Sequence, residues 1–165
     1  MEKNKKGFTL IELLIVIAII AILGAVVFVA LDPLTRFRDT RDARRWSDIT
    51  AVLNAIKVDQ VDNGGSYIAA VTNIASGTIH MIGTDTTSCD NYNTYCDSNV
   101  VSSTTCIDLS ALVTEGYIGS IPTSPNGEGT WTDGRTGYTM QRDATGILTI
   151  RACESENSSE ISISR

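Results

Sequence analysis

Gly7-Phe8-Thr9-Leu10-Ile11-Glu12 joins a lysine-bearing start, Met1-Glu-Lys-Asn-Lys-Lys, to an apolar run in which Glu12 is the only ionisable group before Asp32. The run from Phe8 to Leu31 is long enough, at about 1.5 Å per helical residue, to cross a hydrocarbon core of about 30 Å with some tilt. A carboxylate at the centre of such a helix costs about 2.5–3.5 kcal/mol and is cheap only near the ends. Glu12 therefore either reaches the headgroups or has a partner. Lys3, Lys5 and Lys6 stand ahead of the span, so the positive-inside rule keeps the amino terminus cytoplasmic and sends the remainder outward. A secretory signal carries its small-residue cleavage site after the apolar region. Here the glycine comes before it, so the apolar segment is expected to stay with the chain.

The words Lys-Lys-Gly7-Phe-Thr-Leu-Ile-Glu12, followed by Leu-Leu-Ile-Val-Ile-Ala-Ile-Ile-Ala-Ile-Leu23, resemble the amino-terminal signature of type IV prepilins and of type II secretion pseudopilins. The resemblance implies that a prepilin peptidase cuts between Gly7 and Phe8 and methylates the new Phe8 amine. It further implies that Glu12 meets the Phe8 amine of a neighbouring subunit during assembly. A buried cation and anion are far less costly as a hydrogen-bonded pair than apart. Four regions follow: a leader at 1–7, a membrane and assembly helix at 8–31, an amphipathic helix at 32–63, and an extracytoplasmic α+β domain at 64–165.

Asp32-Pro33 interrupts the helical pattern. Proline disfavours helix before itself, yet Asp as a cap with Pro at the first helical position suits a restart. Gly24 marks a second soft spot. The family carries its proline several residues nearer the leader, so the position of any melted segment differs here. From Leu34 to Val61 apolar residues recur at helical spacing, at Phe37, Trp46, Ile49, Val52, Leu53, Ile56 and Val61, and predict one stripe packed on a small sheet. The opposite face mixes Arg36, Arg38, Arg41, Arg44 and Arg45 with Asp39, Asp42 and Asp48, which suits either a solvated face or an assembly face. Asn63-Gly64-Gly65 ends the helix. The stretch from Leu53 to Tyr67 again resembles short pilins and pseudopilins, with Ile68 where their proline stands.

Residues 72–106 are poor in large apolar groups and predict a long loop with a short strand at 78–82. A short helix is expected between Cys106 and Gly119, and two strands at 137–142 and 147–153 around the turn at 143–146. The order Leu112-Val, Gly116-Tyr-Ile, Ile121-Pro, Pro125, Gly137-Tyr, Gly146-Ile-Leu and Cys153-Glu resembles the carboxy-terminal half of the same family. In its major pseudopilins a loop in this half binds calcium, which directs attention to Asn126, Glu128 and Asp133. Asp85, Asp90 and Asp97 lack the spacing of a calcium loop. The Ser-rich end, 154–165, reads as a frayed tail.

Cys89, Cys96, Cys106 and Cys153 lie on the exported side, where thiols are oxidised, and predict two disulfides. Their spacing lacks the paired short separations of a zinc site. Three pairings are open; the favoured one closes a small loop with Cys89–Cys96 and ties the second helix to the last strand with Cys106–Cys153. After residues 1–7 are removed, 10 Lys and Arg stand against 18 Asp and Glu. So acidic a surface is a poor ligand for nucleic-acid phosphates, and direct nucleic-acid binding is not expected. His80 stands without an adjacent nucleophile, and no enzyme activity or cofactor is expected.

The expectation is thus a long amino-terminal helix on a small antiparallel sheet, in a single-pass inner-membrane protein that polymerises into a pilus-like filament with copies of itself and other pilins, through an inner-membrane assembly machinery. A secretion pseudopilin is the alternative, and a signal-anchored extracytoplasmic binding protein the second. Glu12 argues against the last, because an anchor has no use for an acid so near its start.

Overall fold

A computed structural model of the chain describes residues 7–87, 89, 94–98, 100 and 105–165; Lys3, Lys5, Lys6 and Asp90 lie outside them. The chain divides into two compact units, one ending at Phe37 and the other running from Arg38 to Arg165.

In the first unit, α1 spans Leu10–Leu31 and none of its side chains is buried within the chain. It is long and apolar enough, by length and composition, to cross a membrane. Gly24 lies inside it without breaking it. The break falls at Asp32, a non-glycine residue in the left-handed region at φ 36°, and α2 (Pro33–Asp62) restarts at the proline. Asp32 serves both helices, since its side chain accepts the Thr35 hydroxyl and its carbonyl accepts the Arg36 amide.

The second unit is α+β. After α2 come α3 (Ala69–Thr72), β1 (Ile79–Met81), α4 (Ser110–Thr114), β2 (Tyr138–Arg142), β3 (Leu148–Ala152) and β4 (Ser162–Ser164). The strands form one antiparallel sheet in chain order, with His80 opposite Met140, Met140 opposite Ile150, and Ile150 opposite Ile163. On β3 the alternation Leu148, Ile150, Ala152 turns one face inward. Ile49, Val52, Leu53 and Ile56 of α2 close over Tyr138, Met140, Leu148 and Ile150, with Leu109 and Leu112 beside them. Each such side chain contributes about 1.5–3 kcal/mol on full burial.

At the end of α2, Gly64 (φ 65°) and Gly65 (φ 94°) turn the chain in a left-handed conformation, and the Gly65 amide bonds back to the Gln60 carbonyl at 2.8 Å. Tyr67 follows, its hydroxyl accepting Lys57 Nζ at 2.6 Å and donating to the Gly146 carbonyl at 3.1 Å.

Four expectations are corrected. Phe37, Trp46 and Val61 are exposed, so the buried stripe of α2 is narrower than the apolar spacing implies. Arg45 and Asp42 lie not on an outer face but among the buried residues of the same stripe. The last residues are not frayed: Ile161 is buried, β4 pairs with β3, and the Arg165 and Leu148 backbones exchange two hydrogen bonds of 2.9 Å. The disulfides join Cys89 to Cys106 and Cys96 to Cys153. The reason is backbone pairing. Ile107 bonds to Met81 and Cys106 to Asp85, which lays Cys106 beside the segment leaving β1, where Cys89 follows. Asp97 donates to the Cys153 carbonyl at 2.7 Å, which brings Cys96 to the end of β3.

Candidate functional site

In the first unit the expected processing and assembly residues, Gly7, Phe8 and Glu12, fall within six positions. Gly7 and Phe8 precede the helix, and Phe8 is 82% exposed. Thr9 caps α1 in a reciprocal box: its hydroxyl accepts the Glu12 amide at 3.3 Å, while Glu12 Oε2 accepts the Thr9 amide at 2.8 Å and hydroxyl at 2.7 Å. The carboxylate also suits the positive end of the helix dipole. Glu12 is thereby satisfied within its own chain by neutral donors, with no cation beside it among the described residues.

The second unit holds a buried charge network that the sequence reading did not assemble. Arg45, one turn before Ile49, is 0% exposed. Its Nη1 donates to Asp42 Oδ1 at 2.8 Å and Glu156 Oε1 at 3.0 Å, Nη2 to the Pro125 carbonyl at 3.0 Å, and Nε to Ser124 Oγ at 3.2 Å. Nη2 also stands 3.6 Å from Glu154 Oε2. Arg41 pairs with Glu156 through both ends of its fork. Three carboxylates thus face two guanidiniums, and six N–H donors meet the surplus negative charge. Asp42 accepts the backbone amides of Glu156, Asn157 and Ser158 at 2.9–3.2 Å. Glu154 accepts the Glu128 and Gly129 amides at 2.9 and 2.8 Å and Trp131 Nε1 at 2.7 Å.

Burial raises the Asp42 carboxyl, but the three amides and Arg45 outweigh it and hold the group below its ordinary value. The Glu156 carboxyl is held low chiefly by its hydrogen bond to Arg41, then by Arg45, against an opposing effect of burial. Every member of the cluster has a partner, and Arg45, Asp42 and Glu154 are buried while Arg41 and Glu156 reach its half-exposed edge. Such an arrangement fastens segments together: residues 124–131 and 154–158 are both clipped to α2. The backbone of Gly137 runs against the Trp131 ring, where an added Cβ would lie 2.5 Å from Cδ2.

The calcium candidates are separately engaged. Asn126 Oδ1 accepts the Trp131 amide at 2.9 Å, Glu128 gives its amide to Glu154, and Asp133 Oδ1 accepts the Thr123 hydroxyl at 3.2 Å. Asp85 pairs with Arg135 at 3.5 Å, and Asp97 accepts the Ser155 hydroxyl at 3.0 Å. Among the described residues no three His, Cys, Asp or Glu side chains converge as a metal-holding group. His80 sits in β1, with Nε2 at 2.9 Å from the Thr78 hydroxyl.

A signal for the buried network was present. Counting back from Ile49 by four and by seven reaches Arg45 and Asp42, so helical spacing alone extends the inward stripe onto them. What the spacing does not contain is their partner segment, more than 100 residues away.

Residues 3–28 match the family model described as the prokaryotic N-terminal methylation motif, the signature of type IV pilins and pseudopilins. No curated protein and no solved structure matches the chain significantly.

Proposed function

We propose that this chain is a structural subunit of a type IV pilus-like filament, held in the inner membrane by α1, cut between Gly7 and Phe8 by a prepilin peptidase, methylated at Phe8, and polymerised through α1. The observation that carries this reading is the methylation motif at residues 3–28 with Glu12 as the sole acid of a 22-residue apolar helix. The mechanism follows from how Glu12 is held. In the single chain Thr9 satisfies the carboxylate, so a monomer carries it near the headgroups at low cost. Cleavage creates a cationic amine at Phe8. When helices bundle, the carboxylate moves away from water, and a neighbour's amine offers it a charge-assisted bond that the neutral Thr9 donors cannot equal. Register follows from the pairing, because the amine and the acid lie about one turn apart on each helix.

The test is expression of Glu12→Gln and Glu12→Ala as the only copy. Membrane level and cleavage stay unchanged, intact mass shows a mature chain beginning at methylated Phe8, and filaments counted by electron microscopy fall strongly. Normal filament yield from either variant, or residues 1–7 retained in filaments, overturns this route of processing and assembly, and a wild-type chain that forms no filaments favours a signal-anchored protein.

A further inference from the structure

The second unit carries a cleft of about 720 Å³ walled by α2, α4 and the turn at Ile121-Pro122. Three acids line it, Asp48, Asp108 and Asp133, against one base, Arg44. Their internal partners are mostly neutral: Asp48 Oδ2 accepts the Tyr138 hydroxyl at 2.7 Å with Arg44 Nε at 3.7 Å, Asp108 Oδ1 accepts the Ser110 amide at 2.8 Å, and Asp133 accepts Thr123. The cleft therefore keeps an excess of negative charge, next to an apolar wall that includes Leu109 and Val113. Apolar wall and acidic rim together suit a side chain with an aliphatic stem and a cationic head.

The chain itself has one such side chain to spare. Of the ten basic residues after Gly7, nine are engaged within the chain: Arg36, Arg41, Arg44, Arg45, Lys57, Arg135, Arg142, Arg151 and Arg165. Arg38, exposed on α2, is the one basic side chain among the described residues with no hydrogen bond or ion pair. It lines a different cavity and does not fill the acidic cleft of its own chain.

We propose that Arg38 of one copy seats in the acidic cleft of the next. This rests on the filament reading and names a contact between the outer domains, distinct from the one at Glu12. A contact made once per interface leaves a free donor on one copy and a free cleft on the other, which suits propagation along a filament. The guanidinium stem lies along Leu109 and Val113, and its fork reaches the Asp108 and Asp133 oxygens left free by Ser110 and Thr123.

The experiment uses the full chain as the only copy expressed. Arg38→Glu and Asp108→Arg are each expected to lower filament yield about tenfold, because each sets like charges against one another across the contact. The combined reversal restores yield, and Arg38→Lys retains most of it. An Arg38→Cys and Asp108→Cys pair gives a ladder of cross-linked subunits that collapses on reduction. Arg38 has no internal partner, so unchanged membrane level and unchanged native disulfides confirm that folding is intact. Wild-type filaments together with wild-type yield from Arg38→Glu, or no ladder from the cysteine pair, overturn the contact while leaving the Glu12 reading standing. If the wild-type chain itself forms no filaments, the filament reading fails and this contact with it.

Discussion

Replacing Arg45 by methionine removes the only fully buried cation among the described residues of the outer domain while keeping most of the side-chain volume. Four hydrogen bonds of 2.8–3.2 Å disappear, and so does the 3.6 Å ion pair to Glu154. Removing one partner of a buried ion pair costs about 3–5 kcal/mol, since the abandoned charge stays buried. Here the abandoned acids are cushioned: Asp42 keeps three amide donors, Glu154 keeps three N–H donors, and Glu156 keeps Arg41. The low end, about 3 kcal/mol, is therefore expected. Urea unfolding of the full chain in detergent, followed by tryptophan fluorescence, measures it directly, because Trp131 is buried and bonded to Glu154. A double cycle with Glu156→Gln should give less than the sum of the two single losses, as residues in one network do. A loss below about 1 kcal/mol for Arg45→Met, or strict additivity with Glu156→Gln, would refute the view that this network fastens the carboxy-terminal segment to α2.

Peptide mapping of the non-reduced protein is expected to find Cys89 joined to Cys106 and Cys96 to Cys153; in the chain-entropy model the ring of separation 57 contributes about 4 kcal/mol and that of separation 17 about 3. Deleting residues 159–165 removes β4 and the buried Ile161, so the urea midpoint should drop by the equivalent of about 2–5 kcal/mol, where a frayed end would leave it unchanged. Acid should weaken the outer domain through Asp42 and Glu156. Both are held below their unfolded values of about 3.9 and 4.3, so their contribution is complete above about pH 5 and is lost as pH falls through the folded values. Unfolding midpoints should accordingly be flat from about pH 6 to 8 and fall below about 5, and Asp42→Asn should flatten that fall.

What the sequence made legible was local. Helical spacing identified Ile49, Val52, Leu53 and Ile56 because a 3.6-residue period needs only nearby residues. The Asp143–Gly146 turn announced β2 and β3 for the same reason. The amino-terminal motif was legible because Gly7, Phe8 and Glu12 all fall within six residues. Long-range partners were not. Cys96 meets Cys153 where Asp97 bonds across the fold to the Cys153 carbonyl and to the Ser155 hydroxyl, neither of which is near in sequence. Glu154 and Glu156 read as part of a frayed tail because their partners, on α2 and at 128–131, lie far away in sequence. Composition misled at the carboxy terminus, where the serines alternate with Ile161 and Ile163 at strand period and were taken for disorder.

The disulfide pattern bears on how the protein matures. The two bridges interlock in sequence, with Cys96 falling inside the Cys89–Cys106 span and bonding far outside it. On the topology proposed here, cysteines reach the oxidising side in numerical order, so Cys89 and Cys96 meet first and are not partners. At about 5–20 residues per second, Cys153 arrives about 3–11 s after Cys96, a gap set by the 57-residue separation. Cys106 follows Cys96 by about 0.5–2 s at the same rate, so an early Cys89–Cys96 bond has that shorter interval free of competition, and once formed it must be exchanged before Cys96 can reach Cys153. On the proposed topology, a chain caught in that early pairing reaches its final fold only through thiol–disulfide exchange outside the membrane.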